Sequence, residues 1–378
     1  MFLFVPAFFM GGAFPLINGL YIKNSNEQTK QTGIVYFWDC FGAITGALVT
    51  GFLLLPVYGL DITILVAVSI NLLCAVLAAE KRGLKILVLS VIAGLVGLHF
   101  MGMAEARKND REILESKFGE VLFRKNSPHG IITVGKNGRS TALYINYRIM
   151  CQSATEDVIG KMAAEFARPN AKVLNIGYGC GFTAKNLAAH ENIAQVDVVE
   201  LNPVVLEAAP YFKDSAGDIA ANPKVKIITE EGYAYIRKYA GMYDAIVVDV
   251  EEPTVIDSTA LYTSDFFKEV SLRLKGDGIF ALWSFQANEK FSRIVHNTLL
   301  ANFAEAKIKH AANENIFFAA KQKGRLPAEA NSDDYMQKVM LQPENEVNTI
   351  AKPVLQKYYK LNEIFSLPES YRDEFEVK

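Results

Sequence analysis

The stretch Val173-Leu174-Asn175-Ile176-Gly177-Tyr178-Gly179-Cys180-Gly181-Phe182 decides the fold. It reads as a buried apolar strand that breaks into a glycine-rich turn and opens a helix. A second apolar strand, VDVVELN (Val196 to Asn202), follows about 20 residues on and ends in the acid Glu200. Glycines let a ligand approach the backbone, and a helix N-terminus supplies free N–H donors. A carboxylate at the end of the next strand can accept both hydroxyls of a ribose. Strand, turn, helix, strand and acid together describe a nucleoside site. The turn is G-x-G-x-G, not the dinucleotide G-x-G-x-x-G, which points to S-adenosylmethionine or a relative and away from NAD.

Outward from this core, strand and helix patterns alternate. Strands are expected at Val173–Gly177, Gln195–Leu201, Lys224–Thr229, Ala245–Val250 and Gly278–Ser284. Helices are expected near Phe182–Ala189, Pro203–Tyr211, Tyr233–Tyr239, Ser264–Leu274 and Lys290–Ala301, with another at about Glu156–Ala167 leading into the core. The strands are almost wholly apolar, as strands buried on both faces are. The expectation is an α/β, Rossmann-like fold with a doubly wound parallel sheet, whose ligands bind at the carboxyl ends of the strands. Before it, VLFRKN, GIITVGKNG and ALYIN have strand character, and Lys136-Asn137-Gly138 supplies a hairpin turn. A small β-region therefore precedes the core. The tail after Arg325 is polar and Lys/Glu-rich, with a short helix expected near Val354–Ile364.

The expected strand ends carry a series of acids: Glu200, Glu230 and Glu231, then Asp249, Glu251 and Glu252. Glu200 is placed to hold a ribose. Glu231, before Gly232, is placed to contact the adenine amino group or its neighbours. Asp249 closes the apolar strand YDAIVVD and faces the reacting centre. With Glu252 it could hold or orient a cationic amine. Glu230 and Glu251 read as a solvated rim. Cys180 reads as a small residue lining the nucleoside pocket, with a thiolate near a helix N-terminus as the other reading. His129, in SPHG, reads as a turn residue.

The chain has 378 residues and a formal net charge of -2, which argues against nucleic-acid binding. The mean hydropathy of +0.14 is high for a soluble enzyme, and the excess lies before about residue 103. Apolar stretches run from Phe2 to Ile22, Thr32 to Leu55, Ile62 to Ala79 and Leu84 to Met103, each close to the ~20 residues a membrane span needs. The second carries Gly42-x-x-x-Gly46, which permits close helix contact, and the carboxylate Asp39. Lys23, Lys30, Lys81, Arg82 and Lys85 on one side balance Arg107, Lys108, Arg111 and Lys117 on the other. The positive-inside rule thus assigns no orientation, and a cytosolic nucleoside cosubstrate favours a cytoplasmic catalytic domain on a multi-pass cell-membrane protein. The chain opens in a span without a leader and could be the tail of a longer membrane region. The four cysteines, Cys40, Cys74, Cys151 and Cys180, form no C-x-x-C pair, and neither a zinc site nor a disulfide framework is suggested. The domains expected are a transmembrane region of about four helices (1–103), a connector and β-hairpin region (104–150), the nucleoside-binding catalytic domain (151–325) and a C-terminal tail (326–378).

From about Ser116 to Lys321 the chain resembles the spermidine synthase (polyamine aminopropyltransferase) family. The matching pieces are LYINYR, VLNIGYGCGFTAKNL, VDVVELNPVVLEAA, Glu231-Gly232, and YDAIVVDVEEP followed by LYTSDFFKEV. FMGGAFPL and FWDCFGAITGALVTGFLLLPVYGL resemble the membrane part of the branch fused to transmembrane helices. The resemblance implies transfer of an aminopropyl group from decarboxylated S-adenosylmethionine to a polyamine, with no metal. It makes Asp249 the catalytic acid of the family's D-x-x-D-P motif and puts Glu252 at the second acid. It makes Gly177, Gly179, Cys180, Gly181, Glu200, Glu231 and Gly232 cosubstrate residues, and Gln152 and Tyr262 substrate residues. It also implies a homodimer through the β-region. The family's aspartate in the glycine turn is replaced by Cys180 or its neighbour, its tyrosine-histidine-glutamate stretch by VIGKM at Val158 to Met162, and its LDG turn by Ile145-Asn146-Tyr147. Two other readings stay open. One is a methyltransferase using intact S-adenosylmethionine. The other is a catalytically inactive nucleoside-binding membrane protein.

Overall fold

A computed structural model describes residues 14–19, 21–22, 28–78, 114–153, 157–250, 256–285, 289–311, 314–332, 334, 339, 346–352 and 355. The chain divides into two compact units, Met1–Arg107 and Lys108–Lys378.

In the first unit, helix α1 (Gln28–Val49) runs through a π turn at Thr50–Leu54 into helix α2 (Leu55–Ala78). Pro56 has no N–H to donate to the preceding turn, and the π turn falls where that bond is lost. The second and third expected spans are therefore one continuous helical path, not two spans parted by a loop. Among the described residues one helix, Gln28–Leu54, is long and apolar enough to cross a membrane; it has 27 residues and a mean hydropathy of 1.5. The expected multi-pass region of four spans is not supported: of the first expected span only part is described, and Leu84–Met103 lies outside the described residues. A methyl group added at Gly42 or Gly46 would meet no described atom, so the close helix contact expected there is not made among these residues. Trp38, Phe41 and Phe52 are exposed on the same helical path.

The second unit opens with an antiparallel meander of β1 (Glu120–Ser127), β2 (Gly130–Asn137), β3 (Ser140–Ile145) and β4 (Arg148–Gln152), in that order. The turn between β3 and β4 is Asn146-Tyr147, with φ of 49° and 68°. A two-residue turn with both φ values positive matches the right-handed twist of its strands. Ile145 pairs with Arg148 accordingly.

The core then alternates α3 (Val158–Glu165), β5 (Ala171–Ile176), α4 (Phe182–Ala189), β6 (Ile193–Glu200), α5 (Pro203–Ala208), β7 (Val225–Thr229), α6 (Gly232–Lys238), β8 (Tyr243–Val248), α7 (Ser264–Arg273), β9 (Leu274–Phe285), α8 (Glu289–Leu300), β10 (Glu305–Ala311) and β11 (Glu314–Ala320). Among the described residues the sheet order is β10-β11-β9-β8-β5-β6-β7. The period-2 pattern explains the layers. Val173, Val196, Val198, Ala245, Val247 and Phe318 pack with α3, α4 and α5 on one face. Leu174, Val199, Ile246, Val248, Phe280 and Phe317 pack with α6, α7 and α8 on the other. All the strands and helices expected from Val173 to Ala301 are present, within a few residues at their ends. The sheet is not wholly parallel, however. β11 runs antiparallel to both β9 and β10, and this pair was not anticipated.

Midway along β6, Asp197 is 2% exposed and holds a polar cluster. It accepts from the Tyr243 hydroxyl at 2.8 Å and from Gln195 Nε2 at 2.6 Å, and pairs with Lys172 Nζ at 3.1 Å. Removing a buried charge leaves its partners unsatisfied. Asp197→Ala is expected to lower unfolding free energy by about 2–3 kcal/mol in chemical denaturation followed by tryptophan fluorescence. An unchanged midpoint would remove this cluster from the stability of the sheet.

Candidate functional site

Backbone hydrogen bonds continue past the strands and bring four residues to one edge. Gly177 N–H donates to Val199 O at 2.9 Å, Asp249 N–H to Ile176 O at 2.9 Å, and Glu230 N–H to Glu200 O at 3.0 Å. The glycine turn after β5, Glu200 after β6, the Glu230-Glu231 corner after β7 and Asp249 after β8 thus share the carboxyl end of the sheet, as the strand pattern predicts.

Gly177 has a φ of 96°, and a Cβ there would collide with the carbonyl oxygen of Asp249. Only glycine lets the turn and the acid lie this close. Gly179 and Gly181 also have positive φ, and Gly181 caps α4. Gly232 is a packing residue: its missing Cβ makes room for the Ile176 side chain.

Glu200 is 8% exposed. Its carboxylate accepts from Tyr178 N–H at 2.9 Å and Asn202 N–H at 2.7 Å, so it ties the glycine turn to the end of its own strand. Burial pushes its pKa up, while the backbone donors and nearby His129 pull it down. His129 lies between β1 and β2, and its N–H donates to the Ser127 hydroxyl at 3.2 Å, as expected of a turn residue. Ser127 in turn accepts from Asn202 Nδ2 at 2.9 Å, which docks the meander beside Glu200.

The acid of Asp249 is displaced as well. Burial first, then the carboxylate of Asp157 and that of Glu314, push it up to about 7, against a partial offset from the Thr183 hydroxyl. Thr183 Oγ1 lies 2.6 Å from Asp249 Oδ2 and 3.1 Å from Asp157 Oδ1. Asp157 also caps α3 through Gly160 N–H at 3.1 Å and accepts from Asn186 Nδ2 at 2.7 Å. Glu314, at the start of β11, accepts from Trp283 Nε1 at 3.1 Å.

The structure corrects several sequence expectations. Cys180 is neither a free pocket-lining residue nor a thiolate: it forms a disulfide with Cys151, Cα atoms 6.0 Å apart. The pair is 29 residues apart in sequence, and only the stacking of β4 against the glycine turn makes it close. Both oxygens of Glu231 are committed to the N-terminus of α6, through Tyr233 N–H at 2.8 Å and Ala234 N–H at 2.6 Å. It stands as a helix cap, not as a free adenine ligand. Tyr262 has no exposed surface; its hydroxyl donates to Trp283 O at 2.7 Å and it belongs to the core. Glu230 pairs with Lys238 on the outside, as a solvated rim residue does. Gln152 ends β4, half-buried and next to Cys151. Glu251 and Glu252 lie outside the described residues.

Sequence reading missed Thr183, Asp157 and Glu314. The period-2 alternation of EAKIKHA and the apolar run IFFAA were the signals for β10 and β11, and so for Glu314. Among the described residues no group of three or more His, Cys, Asp or Glu side chains is placed to hold a metal ion.

A family model described as the spermine/spermidine synthase domain matches residues 152–321. The chain is similar to polyamine aminopropyltransferase 2 of Aquifex aeolicus, 24% identical over 372 aligned positions that cover 89% of this chain and 74% of the relative. It is 25% identical to a polyamine aminopropyltransferase of Oceanobacillus iheyensis, covering 68% of this chain and about half (53%) of the relative. Among solved structures, a spermidine synthase in complex with the transition state analogue AdoDATO matches with a TM-score of 0.51 and 20% identity, over 66% of this chain and 90% of the other. Spermidine synthase from Thermotoga maritima matches with a TM-score of 0.50 and 20% identity, over 66% and 87%. These structures share the Rossmann-like fold of the second unit.

The raised Asp249 pKa has a consequence for stability. Between its ordinary value of 3.8 and about 7, the unfolded chain ionises this group while the folded chain keeps it protonated. Stability therefore falls as pH rises through that window and stays lower above it. Asp249→Asn is expected to raise the melting temperature at pH 8 by about 3 °C or more, and to leave it nearly unchanged at pH 4. An equal offset at both pH values would mean that Asp249 is not destabilised by its own charge.

Proposed function

As the chain belongs to the spermine/spermidine synthase family, we propose that it transfers an aminopropyl group from decarboxylated S-adenosylmethionine to an amine of a polyamine. The observation that carries this reading is Asp249: a half-buried acid whose carboxyl is pushed up to about 7, held at the mouth of the glycine turn. The acceptor nitrogen attacks the methylene next to the sulfonium. The carbon–sulfur bond breaks, its electron pair neutralises sulfur, and methylthioadenosine leaves. The nitrogen must lose a proton, and Asp249 takes it. The sulfonium is itself the leaving group, so the step needs no metal. A base with a pKa near 7 is matched to this work at neutral pH.

Gly177, Gly179, Cys180 and Gly181 form the turn along which the nucleoside lies, and Glu200 holds its ribose. The donor set fits such a group: a buried acid next to backbone N–H donors and a helix N-terminus. Gln152 lines the acceptor side and Glu252 is the second acid of the motif. Helix Gln28–Leu54 anchors the enzyme in a lipid bilayer, as in the membrane-fused branch of the family, with the catalytic unit facing the cytoplasmic supply of the cosubstrate and pairing as a homodimer.

One observation favours a second reading. Cys180, which with its neighbour stands where the resemblance puts the family's aspartate, is bonded to Cys151 and offers no charge to the ammonium of a decarboxylated donor. Methyl transfer from intact S-adenosylmethionine is therefore the alternative that calorimetry decides. Decarboxylated S-adenosylmethionine and methylthioadenosine are expected to bind more tightly than S-adenosylmethionine. The reverse order would move the assignment to methyl transfer, and no binding would leave a scaffold.

Two variants test the residue roles. Glu200→Ala is expected to weaken nucleoside binding about 10-fold or more; an unaltered dissociation constant would mean that the ribose is held elsewhere. Asp249→Asn is expected to cut methylthioadenosine release at least about 100-fold with little change in nucleoside affinity. Unchanged turnover would remove Asp249 from the mechanism.

A further inference from the structure

The hydroxyl of Thr183 stands between two carboxyl groups. It is 2.6 Å from Asp249 Oδ2 and 3.1 Å from Asp157 Oδ1. A threonine hydroxyl has one proton to donate and lone pairs to accept with. It cannot donate to both acids at once. If both contacts are hydrogen bonds, a second proton must sit on one of the carboxyls, and that carboxyl donates to Thr183.

The surroundings decide which carboxyl holds it. Asp157 already accepts from Gly160 N–H at 3.1 Å on one oxygen and from Asn186 Nδ2 at 2.7 Å on the other. Asp249 has the Thr183 hydroxyl as its favourable contact and the carboxylates of Asp157 and Glu314 against it. The proton therefore belongs on Asp249. When Asp249 is ionised, the hydroxyl turns and donates to it instead.

Thr183 is 3% exposed at the first turn of α4, and Asp157 sits immediately before α3. The two helices pack side by side, with Gly160 against the Thr183 backbone. The geometry is built into the fold and does not depend on a mobile side chain.

We propose that Thr183 and Asp157 are positioning residues that set the proton affinity of Asp249: the Thr183 hydroxyl reverses its hydrogen bond as Asp249 takes a proton from the acceptor amine, and the Asp157 carboxylate receives the reversed bond. This rests on the aminopropyl-transfer reading for its substrate, but not for its proton chemistry. The step moves one proton from the amine nitrogen to Asp249 and rotates one hydroxyl. No other atom is gained or lost. In the ionised state Thr183 donates to Asp249; in the protonated state Asp249 donates to Thr183 and Thr183 donates to Asp157. Asp249 is thus hydrogen-bonded in both states. The charged and titratable groups that bear on Asp249 in this arrangement are Asp157 and Glu314, with Thr183 as the hydrogen-bonding partner.

The two positioning residues act in opposite directions, and this gives the test. Thr183→Val keeps the shape but removes a hydrogen bond from both states, and the one lost from the ionised form is charge-assisted and the stronger of the two. The acidic limb of the pH profile of methylthioadenosine release is expected to move up by about one pH unit. Asp157→Asn removes the opposing charge and keeps a helix cap, and the limb is expected to move down by a similar amount. Thr183→Ser keeps the hydroxyl and is expected to restore the wild-type limb. A purely structural role would lower the rate at every pH and leave the limb in place.

The same full-length proteins, labelled with carboxyl-13C aspartate, give an independent reading. Infrared titration, with the Asp249→Asn protein subtracted to assign the band, follows Asp249 without any turnover. Opposite shifts in Thr183→Val and Asp157→Asn support the proposal. No shift, or shifts of the same sign, overturn it. If the wild type releases no methylthioadenosine with any amine while the infrared shifts are opposite, the aminopropyl-transfer reading fails and the positioning roles stand.

Discussion

The carbonyl oxygen of Asp249 occupies the space that a side chain at residue 177 would need. This one exclusion brings the end of β8 against the turn after β5, and the rest of the site is arranged around it. With Gly177 in place, the turn swings its next amide onto Glu200 and its last glycine onto the start of α4. The same closeness sets the Asp249 carboxyl beside the first turn of α4, where Thr183 stands. Any larger residue at 177 would have to push the glycine turn and Asp249 apart.

Desolvation then decides the chemistry of each acid. Asp249 and Glu200 are both pushed up by burial, but their neighbours differ. Glu200 collects backbone N–H donors that favour its anion, while Asp249 faces two further carboxylates. One acid is suited to accept hydroxyls and the other to exchange a proton. Glu231 shows the contrast: the same residue type at the next strand end is spent on capping a helix.

Most of the core was legible because its signals are local. Period-2 apolar runs, a glycine turn and acids after strands are read within a few residues, and the strands from β5 to β9 follow them. β10 carried a readable alternation and β11 an apolar run, but the two follow one another directly as an antiparallel pair, which breaks the βα rhythm. The roles of Glu231, Tyr262 and Cys180 were not legible, because each is decided by a partner distant in sequence or by a competing local use. Tyr262 is claimed by the Trp283 carbonyl 21 residues on, and Cys180 by Cys151 29 residues back. Thr183 looked like an ordinary helix residue; only the packing of α3 on α4 gives it two acids to serve. In the first unit composition gave apolar length but not where helices begin and end, and the π turn before Pro56 joined what hydropathy had divided.

The Cys151–Cys180 bridge closes residues 151 to 180 into a covalent ring. That ring holds Gln152, the Asp157 cap, all of α3 and β5, and most of the glycine turn. Its two ends are β4 and the glycine turn, so neither can swing away without dragging the other. Such a ring is also the one part of the site that a thiol pool can cut. A reducing cytosol would open it and leave the two ends joined by chain alone. An oxidising compartment would keep it shut. The stiffness of the crevice is thus set by the compartment in which the second unit resides.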